Sequence, residues 1–236
     1  MVKDPAKSAW AIKLTWFGHA CWSIETAHGT LLIDPFLSGN PVAPVKADQV
    51  NADFILVSHG HGDHLGDTID IAKRTGAEVI SNFEIAGYCE GQGCKVHDLH
   101  IGGSKVLPFG RVKLTIAHHG SSFPDGRYAG NPSGFLLTID KKKIYDSADT
   151  GLFYDMKLIG EEGIDLAMLP IGDNYTMGPE DAVRAIKLIK PKVMIPMHYN
   201  TFDLLKQDPK AFAASVKKAV PTTKVVVLQP GESYEL

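Results

Sequence analysis

The run Ser58-His59-Gly60-His61-Gly62-Asp63-His64 packs three imidazoles and a carboxylate into six consecutive residues. Imidazole nitrogen and carboxylate oxygen are donors that suit zinc and its divalent neighbours, with bonds of about 2.0–2.2 Å. In an extended or turning backbone, residues two apart project the same way, so His59 and His61 can share one ion. Asp63 and His64 follow directly and can reach a second. Donors of the same kind recur in Ala117-His118-His119-Gly120, at Asp149 in Asp149-Thr150-Gly151, and at His198 in Pro196-Met197-His198-Tyr199. Two four- or five-coordinate ions need about seven protein donors plus water. The chain supplies that number.

Each donor group follows an apolar run, which is what must position it. Phe54-Ile55-Leu56-Val57 leads into the first, Val193-Met194-Ile195 into His198, and Ile144-Tyr145 into Asp149. Open α/β sheets carry their sites at such strand exits. Around them the pattern alternates. Ile12–Phe17, Cys21–Ile24 and Thr30–Ile33 read as a meander, and Leu65–Thr75 as a helix closed by Gly76. Glu78–Ile80 is a strand, followed by a helix to about Glu90. Strands fill Lys95–Ala117, with a hairpin at Phe135–Tyr145. A short helix near Tyr154–Ile159, a strand Leu166–Leu169, and helices from Pro179 and from Pro209 precede a last strand, Lys224–Leu228. The two halves echo each other: antiparallel-looking strands, then strand-helix-strand units. Two sheets face to face with helices outside would bury such strands. With no linker visible, the expectation is one domain over residues 1–236.

Alternation also addresses the His118-His119 pair. Val112, Leu114 and Ile116 share one strand face, and extending that face reaches His118. His118 is therefore expected to point inward or to pack at the sheet edge. His119, on the other parity and before Gly120, is expected to be the donor.

Bulk composition narrows the function classes. Of 236 residues, 44% are hydrophobic and 22% charged, which is ordinary for a globular chain with a core of normal size. A net charge of −3 leaves no basic field for nucleic acid. Three cysteines, Cys21, Cys89 and Cys94, have no framework spacing and read as reduced thiols. The segment from Met1 to Trp10 shows no apolar export stretch, and no run approaches the ~20 residues of a membrane span. The expectation is a cytoplasmic protein without nucleic-acid or membrane partners, with homo-oligomerisation left open.

The motif set His59-x-His61-x-Asp63-His64, a later His before Gly, Asp149 and a late His198 resembles the metallo-β-lactamase superfamily, from Leu14 onward. Gly18-His19-Ala20, Ile33-Asp34-Pro35-Phe36, Gly39-Asn40-Pro41 and Pro196-Met197-His198-Tyr199 are similar to a subgroup of small metal-dependent hydrolases related to L-ascorbate-6-phosphate lactonase. The resemblance implies a four-layer αββα sandwich. It implies His59, His61 and His119 on one metal, Asp63, His64 and His198 on the other, and Asp149 bridging them. It implies two divalent ions, zinc first, with manganese, nickel or iron as alternatives.

Two divalent cations carry four positive charges, of which Asp63, Asp149 and a bridging hydroxide would remove three. The remainder favours an anionic substrate and a developing oxyanion. The expected activity is hydrolysis of an ester, lactone or similar bond of a small anionic metabolite, with Asp63 and His19 in catalytic positions. Asp34 is a candidate for orienting an imidazole, and Asp173, Asn174 and Tyr175 are candidates to line the pocket. Phosphodiester cleavage, metal binding without turnover, and sulfur oxidation at a single iron are the rival readings.

Overall fold

The computed structural model describes residues 12–236. The expectation about export from Met1 to Trp10 lies outside the described residues. Three short strands, β1 (Lys13–Trp16), β2 (Trp22–Thr26) and β3 (Gly29–Ile33), form the expected antiparallel meander. Next come β4 (Phe54–Leu56), β5 (Glu78–Asn82) and β6 (Lys95–Leu99), all parallel. Helices α1 (Gly62–Leu65), α2 (Thr68–Thr75) and α3 (Phe83–Gly91) lie between them.

The second half repeats the scheme. Strands β7 (Ser104–Leu107), β8 (Gly110–Ile116), β9 (Ser133–Ile139) and β10 (Lys142–Asp146) are antiparallel. Strands β11 (Leu166–Pro170), β12 (Val193–Met197) and β13 (Lys224–Val225) are parallel. Helices α4 (Met156–Glu161), α5 (Pro179–Ile189) and α6 (Pro209–Ala219) connect them. A final strand, β14 (Ser233–Glu235), crosses back to pair with β1. Among the described residues this makes two seven-stranded sheets, ordered β14-β1-β2-β3-β4-β5-β6 and β13-β12-β11-β10-β9-β8-β7. The architecture is the αββα sandwich.

Side-chain alternation builds the layers. Leu31 and Ile33 of β3, Leu56 of β4 and Ile80 of β5 join Phe135, Leu137, Met168 and Ile195 of the second sheet in one core. The intervening Leu32, Ile55 and Val79 face the other way and pack with Ile71, Ala72, Ile85 and Cys89 of α2 and α3. Strands covered on both faces read as continuous apolar runs, which is why β4 lacks a polar residue. Removing the Leu56 side chain, which is completely buried, would cost about 2–5 kcal/mol. Among the described residues no helix is long and apolar enough to cross a membrane.

Three local expectations change. The helix expected over 65–75 is two helices, α1 and α2, broken at Gly66. There φ is +41° and a Cβ would collide with the Pro35 carbonyl, so the chain must turn beneath the 34–38 loop. Asp67 fixes that turn, its Oδ2 accepting from Leu37 and Ser38 N–H groups at 2.9 and 2.8 Å. The strand expected over 224–228 keeps only Lys224 and Val225. The polar three-residue β14 was not anticipated.

Candidate metal centre

The ends of strands from both sheets converge on one cluster. Beyond β4, the chain bends at Ser58 and enters α1 with His61 at its N-cap, which puts Asp63 and His64 on a helical turn. Beyond β12, Met197 leads into His198, whose backbone N–H donates to the His19 carbonyl at 2.9 Å. His19, Asp34, Ala148 and His198 all adopt left-handed φ, between +43° and +55°. Each such non-glycine residue costs about 1–2 kcal/mol, and strain of this kind concentrates at functional sites. Gly172 permits a close approach, since a Cβ there would meet the His198 carbonyl and lie 3.3 Å from His198 Nδ1.

The donor atoms form two groups. His59, His61 and His119 bring nitrogens within 4.8 Å of one another, and nitrogens of His19, His64 and His198 gather as closely with an oxygen of Asp63. In the first group, His59 Nε2 and His61 Nδ1 face each other at 3.0 Å, close to the ~3.4 Å between two nitrogens on one tetrahedral ion. Asp149 contacts both groups. Its Oδ2 is 2.9 Å from His198 Nε2, 3.3 Å from His64 Nε2 and 3.6 Å from His119 Nε2. Three buried polar atoms, His64 Nε2, His198 Nδ1 and Asp149 Oδ1, have no hydrogen-bond partner. Buried polar groups are normally paired, so two of these orphans, in the midst of nitrogen and oxygen donors, fit a cation.

The opposite faces of the imidazoles are tied down. Asp34 Oδ2 pairs with His64 Nδ1 at 2.7 Å and accepts from Ser58 Oγ at 2.5 Å, while Asp34 Oδ1 accepts from the Ser58 N–H at 2.7 Å. Ser58 Oγ also lies 2.9 Å from His59 Nδ1. Asp34 thus orients a histidine of each group, the usual way that tautomers of metal-binding histidines are fixed. Asp34 also forms a compact trio with His59 and His64. Its short bond to His64 Nδ1, the side away from Asp149, makes it an orienting group instead of a donor.

Electrostatics agree with such a site. Burial lowers the basicity of His59, His61 and His119, leaving neutral lone pairs. Burial alone would raise Asp149, but His198 and His64 prevail and hold it well below the usual carboxylate range. Burial opposes charge on His64, yet Asp149 and Asp34 outweigh it and raise its affinity for a proton. Burial likewise opposes ionisation of Asp63, but the bond to His19 overcomes it.

All seven expected donors come together. His119 Nε2 faces Asp149, as expected, but His118 does not enter the core: it is exposed and stands edge-on to Phe153 at 5.0 Å. Strand alternation ends with β8 at Ile116, so the extrapolated face no longer applies. His19 is fully buried under Asp63. Its Nε2 is 3.2 Å from Asp63 Oδ2 and its Nδ1 is 3.0 Å from Thr201 Oγ1. It does not line the pocket. That pocket, about 420 Å³, is walled by His61, Asp63, His119, Asp149 and His198, with Tyr175, Phe202, Leu204 and Leu205 at its mouth. Tyr175 therefore lines it, while Asp173 borders a different depression beside α5. A larger groove of about 600 Å³ along residues 37–49 contains none of the clustered histidines.

Sequence reasoning missed Ser58, Thr201, Phe202, Leu204 and Leu205. Ser58 had a usable signal, a hydroxyl between a buried strand and the first histidine. The others lie between β12 and α6, where only one 3-10 turn, Asp203–Leu205, interrupts irregular chain too short to show a period.

The family model for the beta-lactamase superfamily domain matches residues 13–198. A UPF0173 metal-dependent hydrolase of Pelotomaculum thermopropionicum is 53% identical over 230 residues, 95% of this chain and 100% of that protein. Igni18, described as a novel metallo hydrolase from Ignicoccus hospitalis, superposes with a TM-score of 0.88 at 37% identity, covering 96% and 98% of the two chains. An isothiocyanate hydrolase from Delia radicum gut bacteria shares the fold at 20% identity, with a TM-score of 0.72 over 94% of this chain and 98% of its own. With the family model and relatives more than half identical both spanning the histidine cluster, the chain belongs to the metallo-β-lactamase superfamily, in the group of UPF0173 metal-dependent hydrolases.

Proposed function

We propose that the chain is a hydrolase that holds two divalent ions, zinc first, and cleaves an ester, lactone or similar bond whose reacting group carries or develops negative charge. The observation that carries the reading is Asp149, whose Oδ2 reaches His198 and His64 on one side and His119 on the other. His59, His61 and His119 would hold one ion, and Asp63, His64 and His198 the other. Bound there, the ions would supply a water of near-neutral pKa and polarise the bond under attack.

The chain's own residues do the positioning. Asp34 and Ser58 set the tautomers of His64 and His59, so that the opposite nitrogens face the centre. His19 holds Asp63 by Oδ2 and keeps it ionised at the pocket wall. The imidazoles of His59 and His119 stay neutral through burial.

The test joins elemental analysis to a panel of esters, lactones and phosphodiesters. Metal-dependent turnover of an ester or lactone, lost with chelator and in Asp149→Ala, is the expected result. Inertness of metal-loaded protein across the whole panel would overturn the hydrolase reading, and a clear phosphodiester preference would reassign its substrate class.

A further inference from the structure

The pocket's inner and outer walls differ in chemistry. The inner wall is imidazole and carboxylate; the outer is Tyr175, Phe202, Leu204 and Leu205. None of the lining residues is lysine or arginine. The nearest cation in sequence, Lys206, is tied to Asp203 at 2.8 Å and both are exposed. Three of the mouth residues are far more exposed than apolar side chains of their size usually are: Tyr175 at 58%, Phe202 at 41% and Leu204 at 65%. Exposed apolar groups gathered at a cleft mark ligand contacts.

The wall is also held in place. Phe202 packs edge-on to the buried His19 ring at 5.6 Å and against Phe36 at 6.4 Å. Its loop is pinned by Asn200 N–H to the Leu205 carbonyl and by Gln207 N–H to Asn200 Oδ1, both at 2.8 Å. Leu205 is buried beneath. A fixed apolar surface beside a charged centre offers burial to an uncharged group and offers a second anionic group nothing to pair with.

Resting on the hydrolase reading above, we infer that Tyr175, Phe202, Leu204 and Leu205 form a subsite for an apolar chain or ring, so that the substrate is an acyl or aryl ester or lactone whose only negative charge is the one that develops at the carbonyl under attack. A phosphorylated or multiply charged metabolite would desolvate its charge against leucine and phenylalanine without compensation. The volume of about 420 Å³ lies within the usual range for small organic ligands.

The test uses metal-loaded protein, with 4-nitrophenyl esters of two, four, six and eight carbons and the linear carboxylates from acetate to octanoate as binding probes. Full burial of one methylene corresponds to about fourfold. Half-burial along this open mouth therefore predicts at least about tenfold between two and six carbons, both in kcat/KM and in carboxylate Kd. Phe202→Ser and Leu204→Ser should flatten both slopes, with metal content and thermal midpoint held near wild type. Because both side chains reach solvent, folding should survive either change. A flat carboxylate series on wild-type protein, or slopes unchanged in both variants, overturns the subsite. The carboxylate titration decides this even if no ester is turned over, a result that would count against the hydrolase reading alone.

Discussion

Asp34→Asn isolates the residue that orients the cluster. Three interactions converge on this carboxylate, at 2.7, 2.5 and 2.7 Å, and it is 1% exposed. Asparagine keeps the shape, and its Oδ1 can still accept from the Ser58 N–H. Its amide nitrogen, however, meets the Ser58 hydroxyl and His64 Nδ1 where both now find an acceptor. Each hydrogen bond to a charged group contributes about 1.5–3 kcal/mol net. Two are disrupted, and rotation of the hydroxyl with a change of His64 tautomer recovers part, leaving a loss of about 2–4 kcal/mol. For a chain of this size that lowers the midpoint of thermal unfolding by about 4–16 °C. The changed tautomer puts a proton on His64 Nε2, the nitrogen facing Asp149, so metal affinity should fall about 10–100-fold. Melting of chelator-treated protein reads the first effect, and competition against a chromophoric chelator reads the second. A variant that melts within about 2 °C of wild type and retains its metal affinity would refute the orienting role.

Purified protein should carry close to two transition-metal ions per chain, and Asp149→Ala should lose at least one of them while remaining folded; elemental analysis beside circular dichroism checks both. His119→Ala should lower metal occupancy and activity, whereas His118→Ala, at an exposed site against Phe153, should change stability by less than about 0.5 kcal/mol; the opposite outcome in metal analysis would reassign the donor. Burial holds the His19 imidazole down at about 4, against about 6.5 in an unfolded chain. The unfolded state then binds the extra proton between those values, so this contribution to stability is present above pH 6.5 and is lost as pH falls to 4, by at most about 3 kcal/mol. Urea unfolding of chelated protein should therefore depend less on pH across that window in His19→Gln, and equal slopes would contradict it.

The site was legible where donors are consecutive in the chain. His59, His61, Asp63 and His64 stand at a spacing that few structural turns would need, and the apolar run before them marked a strand exit. Double-sided burial made β4 and β11 readable as unbroken apolar stretches. Legibility failed where tertiary contact replaced local pattern. For His118, both an inward position and one at the sheet edge carry alternation past Ile116, where the strand ends. His19, for which sequence left contact with substrate, support behind a ligand and a turn cap all open, is buried behind Asp63 and bonded to it and to Thr201. Phe202 and Leu204 gave no signal, since nothing periodic distinguishes an apolar pocket rim from an ordinary loop.

The return of β14 to β1 sets a schedule for folding. Thr15 Oγ1 and Ser233 Oγ meet at 2.9 Å across 218 positions of sequence. During synthesis at about 5–20 residues per second, β1 therefore waits roughly 10–40 s for the strand that covers its outer edge. Until then its unpaired amides and carbonyls form an open template of the kind that recruits other strands. Chains arrested before Ser233 should expose this edge to proteases and chaperones, and pairing with β14 replaces it with an edge strand of only three residues.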